Sequence, residues 1–198
     1  MKHVLSTLAL AAAALALSAG AVAQPEFARA VASGPGESPP NDSPGYSVAF
    51  FVIDSAAGKM SADVPFYDLT SPTRASHIHC CTASPLTGTA PVALPFDDFP
   101  TGVTNGSFSR TFDLSSEATY DPAFLSANGG TATSAAAALL AGIGANESYL
   151  NIHTAAYPAG EIRGFLVAAP IPEPSSWAML GVGLAGLGFM ARRRARQG

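Results

Sequence analysis

The stretch Tyr149–Leu166, with the sequence YLNIHTAAYPAGEIRGFL, decides the fold that this chain is predicted to adopt. Its first six residues alternate with the period of two that is typical of a half-buried β-strand. The two alternating sets are Tyr149, Asn151, His153 and Leu150, Ile152, Thr154. Pro158 and Gly160 favour a turn, because proline fixes φ and glycine tolerates values that other residues avoid. Residues 161–167 then return, so the stretch predicts a tight antiparallel β-hairpin.

Other segments rich in β-branched and aromatic residues predict further short strands. They are Phe27–Val31, Tyr46–Asp54, Met60–Leu69, Ala75–Cys80 and Ser107–Leu114. Cys81–Gly106 contains four prolines and no clear period, so it is predicted to be a long loop of the kind that is often functional. Two short helices are predicted before the hairpin. The pattern predicts a mainly β fold, an antiparallel β-sandwich or Greek-key barrel with a small helical insert.

The N-terminal residues have the pattern of a secretory signal peptide. Lys2 and His3 precede the apolar run Val4–Leu17, and Ala21-Val22-Ala23 offers a small-x-small cleavage site. We expect residues 1–23 to be removed, with the mature chain beginning at Gln24. An uncleaved anchor helix is the alternative.

The C-terminal residues form a second processing pattern in three parts. Pro172-Glu173-Pro174 precedes the apolar run Trp177–Ala191, and an arginine cluster, Arg192–Arg196, follows. The run is marginal as a transmembrane helix, which needs about 20 residues, and the arginines are expected to stay cytoplasmic. We assign residues 170–198 to a C-terminal processing segment, and a plain tail anchor is the alternative.

The order of these three parts closely resembles the PEP-CTERM sorting signal. In that family an exosortase of Gram-negative bacteria recognises and removes the signal, and the product goes to the cell surface or the extracellular matrix. The resemblance implies exosortase-type machinery as a partner. It also implies transient inner-membrane anchoring, with membrane contact only through the C-terminal helix before processing.

The charge of the mature region excludes one class of function. Between Gln24 and Pro174, five basic side chains stand against fourteen acidic ones, a net charge of −9, whereas the whole chain carries −4. Nucleic-acid binding needs clustered lysine and arginine, so we expect no nucleic-acid partner.

Three of the four histidines lie in two strand-like stretches. His77 and His79 are two residues apart, which on a strand places them on one face, and Cys81 joins them if the strand continues. With His153 from the hairpin, these residue types suit zinc or copper. The other interpretation is that the imidazoles anchor loops through hydrogen bonds and bind no ion. We favour this second interpretation from the sequence, because the spacing does not fix how close His153 comes.

Cys80 and Cys81 are the only cysteines, in a chain expected to reach an oxidising compartment. A disulfide between adjacent residues ranks first. An intermolecular bridge, free thiols and metal ligation are the alternatives. Separately, Glu161 and Arg163 flank the hairpin turn. We expect a register-fixing ion pair rather than a catalytic role, and a contact of Arg163 with a neighbouring strand or loop would also be structural.

The two histidine stretches also carry a family resemblance. The HIH of residues 77–79, followed by YLNIHT, a short turn and GEIRGFL, resembles the CHRD domain, which is named for chordin and is also found in bacterial secreted proteins. Ser33–Pro40 resembles the opening region of that domain. The similarity covers Phe27 to Val167, and Cys80-Cys81 replaces sequence that is often glycine-rich in the family. We therefore assign residues 24–169 to a CHRD-like domain.

No nucleophile with a neighbouring base and no phosphate-binding glycine loop stands out, so the chain is not predicted to be an enzyme. The resulting hypothesis is an exported domain with a binding or structural role, and with exopolysaccharide or matrix proteins as candidate partners. It needs no cofactor. The alternative hypothesis is a secreted copper- or zinc-binding domain that uses His77, His79 and His153.

Overall fold

The computed structural model describes residues 26–169 and 174–196. The predicted signal peptide, residues 1–23, lies outside these ranges, as do Pro172 and Glu173 of the sorting motif. The strands are β1 (Glu26–Ser33), β2 (Tyr46–Asp54), β3 (Lys59–Tyr67), β4 (Thr73–His79), β5 (Val92–Pro95), β6 (Gly106–Asp113), β7 (Tyr149–Thr154) and β8 (Ile162–Ala169). The α-helices are α1 (Pro122–Ala127), α2 (Ala132–Gly144) and α3 (Pro174–Ala195).

The strands form a single antiparallel sheet in the order β5-β4-β7-β8-β1-β2-β3-β6, curled into a half-barrel. The mainly β fold with a small helical insert is thereby confirmed. The predicted hairpin is the pair β7 and β8, in which Leu150 faces Gly164 and Ile152 faces Ile162. The sheet also places β7 beside β4, although the two strands are far apart in the sequence.

The core fills the inside of the curl. Alternate residues of each strand point inward, and the largest side chains with almost no exposure include Phe51, Phe66, Ile78, Leu150 and Ile152. Leu139 and Ile143 of α2 belong to the same cluster. Leu150 and Ile152 are therefore buried as the alternating pattern of the hairpin predicts.

The long stretch 81–106 contains more structure than its sequence indicates. It holds β5, a short strand at the edge of the sheet. Phe96, which follows β5, stacks on Phe108 of β6 with ring centroids 4.7 Å apart. The two edges of the sheet thus meet through aromatic packing. The sequence does not predict this strand because the prolines interrupt the alternating pattern that is typical of a β-strand.

The apolar run Trp177–Ala191 lies within α3. No helix among residues 26–169 and 174–196 is long and apolar enough to cross a membrane.

Candidate metal centre

Strand pairing brings the three histidine side chains together on the outer face of the sheet. In the ladder between β4 and β7, His77 faces Asn151 and Ala75 faces His153. The intervening Ile78 points into the core. Because side chains alternate along a strand, His77, His79 and His153 emerge on the side opposite the core.

The rings are close enough for their nitrogens to converge. One nitrogen from each imidazole lies within 4.8 Å of the corresponding atom of the other two. The ring centroids of His77 and His153 are 5.0 Å apart, those of His77 and His79 are 5.7 Å apart, and those of His79 and His153 are 6.2 Å apart.

Each ring has a buried nitrogen without a hydrogen-bond partner among the described residues. Nδ1 of His79 lies 2.9 Å from the carbonyl oxygen of Ala90, and Nδ1 of His153 lies 3.1 Å from that of Pro158. A carbonyl only accepts, so each Nδ1 carries the proton and each Nε2 keeps a lone pair. Those two Nε2 atoms, together with Nδ1 of His77, are buried and have no partner among the described residues. In His79 and His153, the nitrogen that anchors a loop, Nδ1, therefore differs from the nitrogen that is left to bind a metal, Nε2.

Burial keeps the three imidazoles neutral. Desolvation, reinforced by His153 and His79, lowers the pKa of His77 to about 4. Burial also lowers the pKa of His79 and of His153. Neutral imidazoles are the form that binds transition metals. The cluster is therefore in its metal-binding protonation state at neutral pH.

One aromatic side chain, Tyr149, and one cationic side chain, Arg163, complete the surroundings of His79. The ring of Tyr149 stacks on His79, and its hydroxyl donates to the carbonyl of Ala90 at 3.2 Å. The guanidinium of Arg163 lies over the other side of Tyr149, 4.8 Å from the ring centroid. Sequence reasoning missed Tyr149 as part of the site, although its alternation with His153 places it on the same face.

Cys81 does not join the histidines. Cys80 and Cys81 form a disulfide with each other, and Cys81 Sγ lies 3.6 Å from the carbonyl oxygen of Ala138 in α2. Because a cysteine binds a metal as its thiolate, a sulfur held in this disulfide is not available. The structure therefore brings together three of the four residues predicted as possible ligands, His77, His79 and His153, and leaves Cys81 out.

The expected ion pair between Glu161 and Arg163 is wrong. Glu161 is fully buried and lies just before β8. The alternation of side chains along that strand therefore does not place Glu161 on the same face as Arg163. Its carboxylate accepts hydrogen bonds from Ser43, Thr70 and Thr154. Arg163 instead donates to the carbonyls of Gly36 and Gly88 at 2.8 Å each. Both residues tie loops to the sheet.

The fold and its C-terminal segment define an antiparallel β-domain followed by a processing signal. The family model of the CHRD domain matches residues 28–166, and that of the PEP-CTERM protein-sorting motif matches residues 170–194. The chain belongs to the CHRD domain family, and its sorting motif makes it an exported substrate of the exosortase system. Searches of curated proteins and of solved structures found no match.

Proposed function

We propose that this protein is a non-enzymatic, surface-sorted domain that binds a transition-metal ion, copper or zinc, through His77, His79 and His153. One observation carries the proposal: one nitrogen of each imidazole lies within 4.8 Å of a nitrogen of each of the other two, and each ring also has a buried nitrogen without a hydrogen bond. Buried polar atoms normally have partners, so an unpaired nitrogen on each of three neighbouring rings suits a shared ligand.

The local geometry supports a metal in particular. Zinc–imidazole bonds are about 2.0–2.1 Å long, so small ring rotations would bring the three nitrogens onto one ion. Histidine ligands usually donate their other ring N–H to a carbonyl or carboxylate, and His79 and His153 donate to Ala90 and Pro158. Three protein ligands would leave a fourth position on the ion for water or another small ligand.

The sorting motif supports the cellular setting. We infer transient inner-membrane anchoring in a Gram-negative bacterium, followed by removal of the C-terminal segment and release to the surface or extracellular matrix. The acidic domain would meet metal ions there, and exopolysaccharide or matrix proteins are candidate partners. Intact-mass measurement of protein from the native host tests this setting. A surface species that retains Arg192–Arg196 would contradict it.

Elemental analysis of folded, tag-free protein tests the metal site. We expect stoichiometric copper or zinc after incubation with the ion and desalting, and loss of the metal in His77→Ala and His153→Ala. Arg110→Ala, in strand β6, which pairs with neither β4 nor β7, is the control and should keep the metal. Circular dichroism checks that the variants fold. Absence of metal from the folded wild-type protein would overturn the proposal.

A further inference from the structure

A second feature of the outer face is an apolar patch centred on Arg29 of β1. In the register of the sheet, Arg29 faces Phe50 of β2 on one side and Val167 of β8 on the other. Phe27 and Val31 flank it along β1. The four apolar side chains are each between 41% and 55% exposed, a large exposure for residues of their size. Exposed apolar clusters of this kind often mark interaction sites.

The patch contains a shallow pocket of about 470 Å³. Its lining residues are Phe27, Ala28, Arg29, Phe50, Val167 and Ala168. A pocket between protruding aromatic side chains can receive a side chain from a partner, as at the centre of many protein interfaces.

The patch lies next to the point where the sorting motif begins. Ala169, the last residue of β8, faces Phe27 across the sheet. Pro172 follows three residues later, which is at most about 11 Å of extended chain. Any protein that holds Pro172-Glu173-Pro174 in a binding cleft must therefore come within reach of this end of the sheet.

Charge favours a protein partner over a lipid surface. The region between Gln24 and Pro174 carries a net charge of −9, which opposes approach to anionic lipid headgroups. Arg29 is the one cationic side chain among the residues that line the pocket. An apolar patch with a single central cation suits a protein surface with an apolar contact and a carboxylate.

We propose that Phe27, Val31, Phe50 and Val167 around Arg29 form a docking surface for the exosortase that processes the adjacent sorting motif. This inference rests on the processing role given above. Contact with the folded domain adds binding energy to that of the motif, and it orients the motif for cleavage.

The test is processing of the full chain co-expressed with an exosortase in a Gram-negative host. The double variant Phe27→Ser/Phe50→Ser is compared with Leu86→Ser/Val103→Ser, which removes two exposed apolar side chains from the long loop. Arg29→Glu reverses the central charge without removing apolar surface. In a pulse-chase experiment we expect both patch variants to mature more slowly by on the order of tenfold, as for loss of interface anchors. The loop variant should mature at the wild-type rate.

Three results would overturn the inference. If the wild type and all variants mature equally fast, the proposed docking surface is wrong, whereas processing by the exosortase is still supported. If the wild type is never processed, both the docking surface and the proposed processing by the exosortase are contradicted. If vesicles of phosphatidylethanolamine and phosphatidylglycerol bind the wild type but not the patch variants, and processing in detergent is equal for all, the patch contacts the membrane instead.

Discussion

The ring of Tyr149 lies flat against the ring of His79, with centroids 4.7 Å apart and planes inclined by 4°. Tyr149 is itself 3% exposed and is covered on its other side by Arg163. The stack and the hydrogen bond from Nδ1 to Ala90 together fix the orientation of His79, and they leave Nε2 without a hydrogen bond. Tyr149 is thus a positioning residue for the candidate metal centre.

Replacing Tyr149 should therefore weaken metal binding without removing a ligand. We expect Tyr149→Ala to lower the affinity for copper or zinc by about 10–100-fold, the usual effect of losing the support behind a ligand. Tyr149→Phe keeps the stacked ring and should lose much less. Competition titration against a chromophoric chelator measures both. Equal affinities for wild type and Tyr149→Ala would show that the stack does not position His79.

Stability of the metal-free protein should fall in mild acid. Burial lowers the pKa of His77 from 6.5 to about 4 and lowers those of His79 and His153. Below pH 6.5 the unfolded chain therefore binds protons that the folded chain does not, and the free energy of unfolding decreases as the pH falls. Urea midpoints measured from pH 7 to pH 4 check this.

One neighbouring carboxyl group acts in the opposite direction. Burial, partly offset by Arg163, raises the pKa of Glu37 from 4.5 to about 6, so the folded chain binds an extra proton within that window. Glu37 is one group that opposes the effect of the three histidines, so we still expect a net loss of stability as the pH falls. The charge of Asp121 also favours protonation of His77 and softens its effect. His77→Gln should flatten the pH profile, and an unchanged profile would contradict the role of His77.

The hairpin could be predicted from the sequence because its information is local. A period of two, a proline–glycine turn and a second apolar run are enough to place Leu150 and Ile152 inside. The same alternation places His77 and His79 on one face. These elements need no knowledge of which strand lies next to which.

The meeting of His153 with His77 depends on long-range pairing that no local pattern encodes. It requires β7 to lie beside β4 in the register that sets Ala75 opposite His153. The carbonyls of Ala90 and Pro158, which fix two of the rings, are backbone groups and have no residue signature. The sequence predicts the wrong partner for Glu161 for a related reason, because two of its hydrogen-bond partners, Ser43 and Thr70, lie in distant loops.

The core side of the hairpin offers a direct test of the fold. Ile152 has no exposed surface, and Ile152→Ala should lower the free energy of unfolding by about 2–5 kcal/mol, because the lost packing leaves a cavity. Val31→Ala on the outer face should change it by less than about 0.5 kcal/mol. Chemical denaturation at pH 7 measures both. A midpoint that Ile152→Ala leaves unchanged would show that this face of β7 is assigned wrongly.

Two glycines of α2 should respond oppositely to alanine, because only one of them faces the disulfide. A Cβ on Gly142 would collide with the sulfurs of Cys80 and Cys81 and would lie 3.0 Å from Ser148 Oγ, whereas a Cβ on Gly144 would meet nothing within 4 Å. Gly142→Ala must push α2 away from β4, and should cost about 1–3 kcal/mol of unfolding free energy, as overpacking does. Gly144→Ala should add up to about 1 kcal/mol through helix propensity. Thermal unfolding under non-reducing conditions compares the two, and equal melting temperatures would show that α2 does not rest on the disulfide.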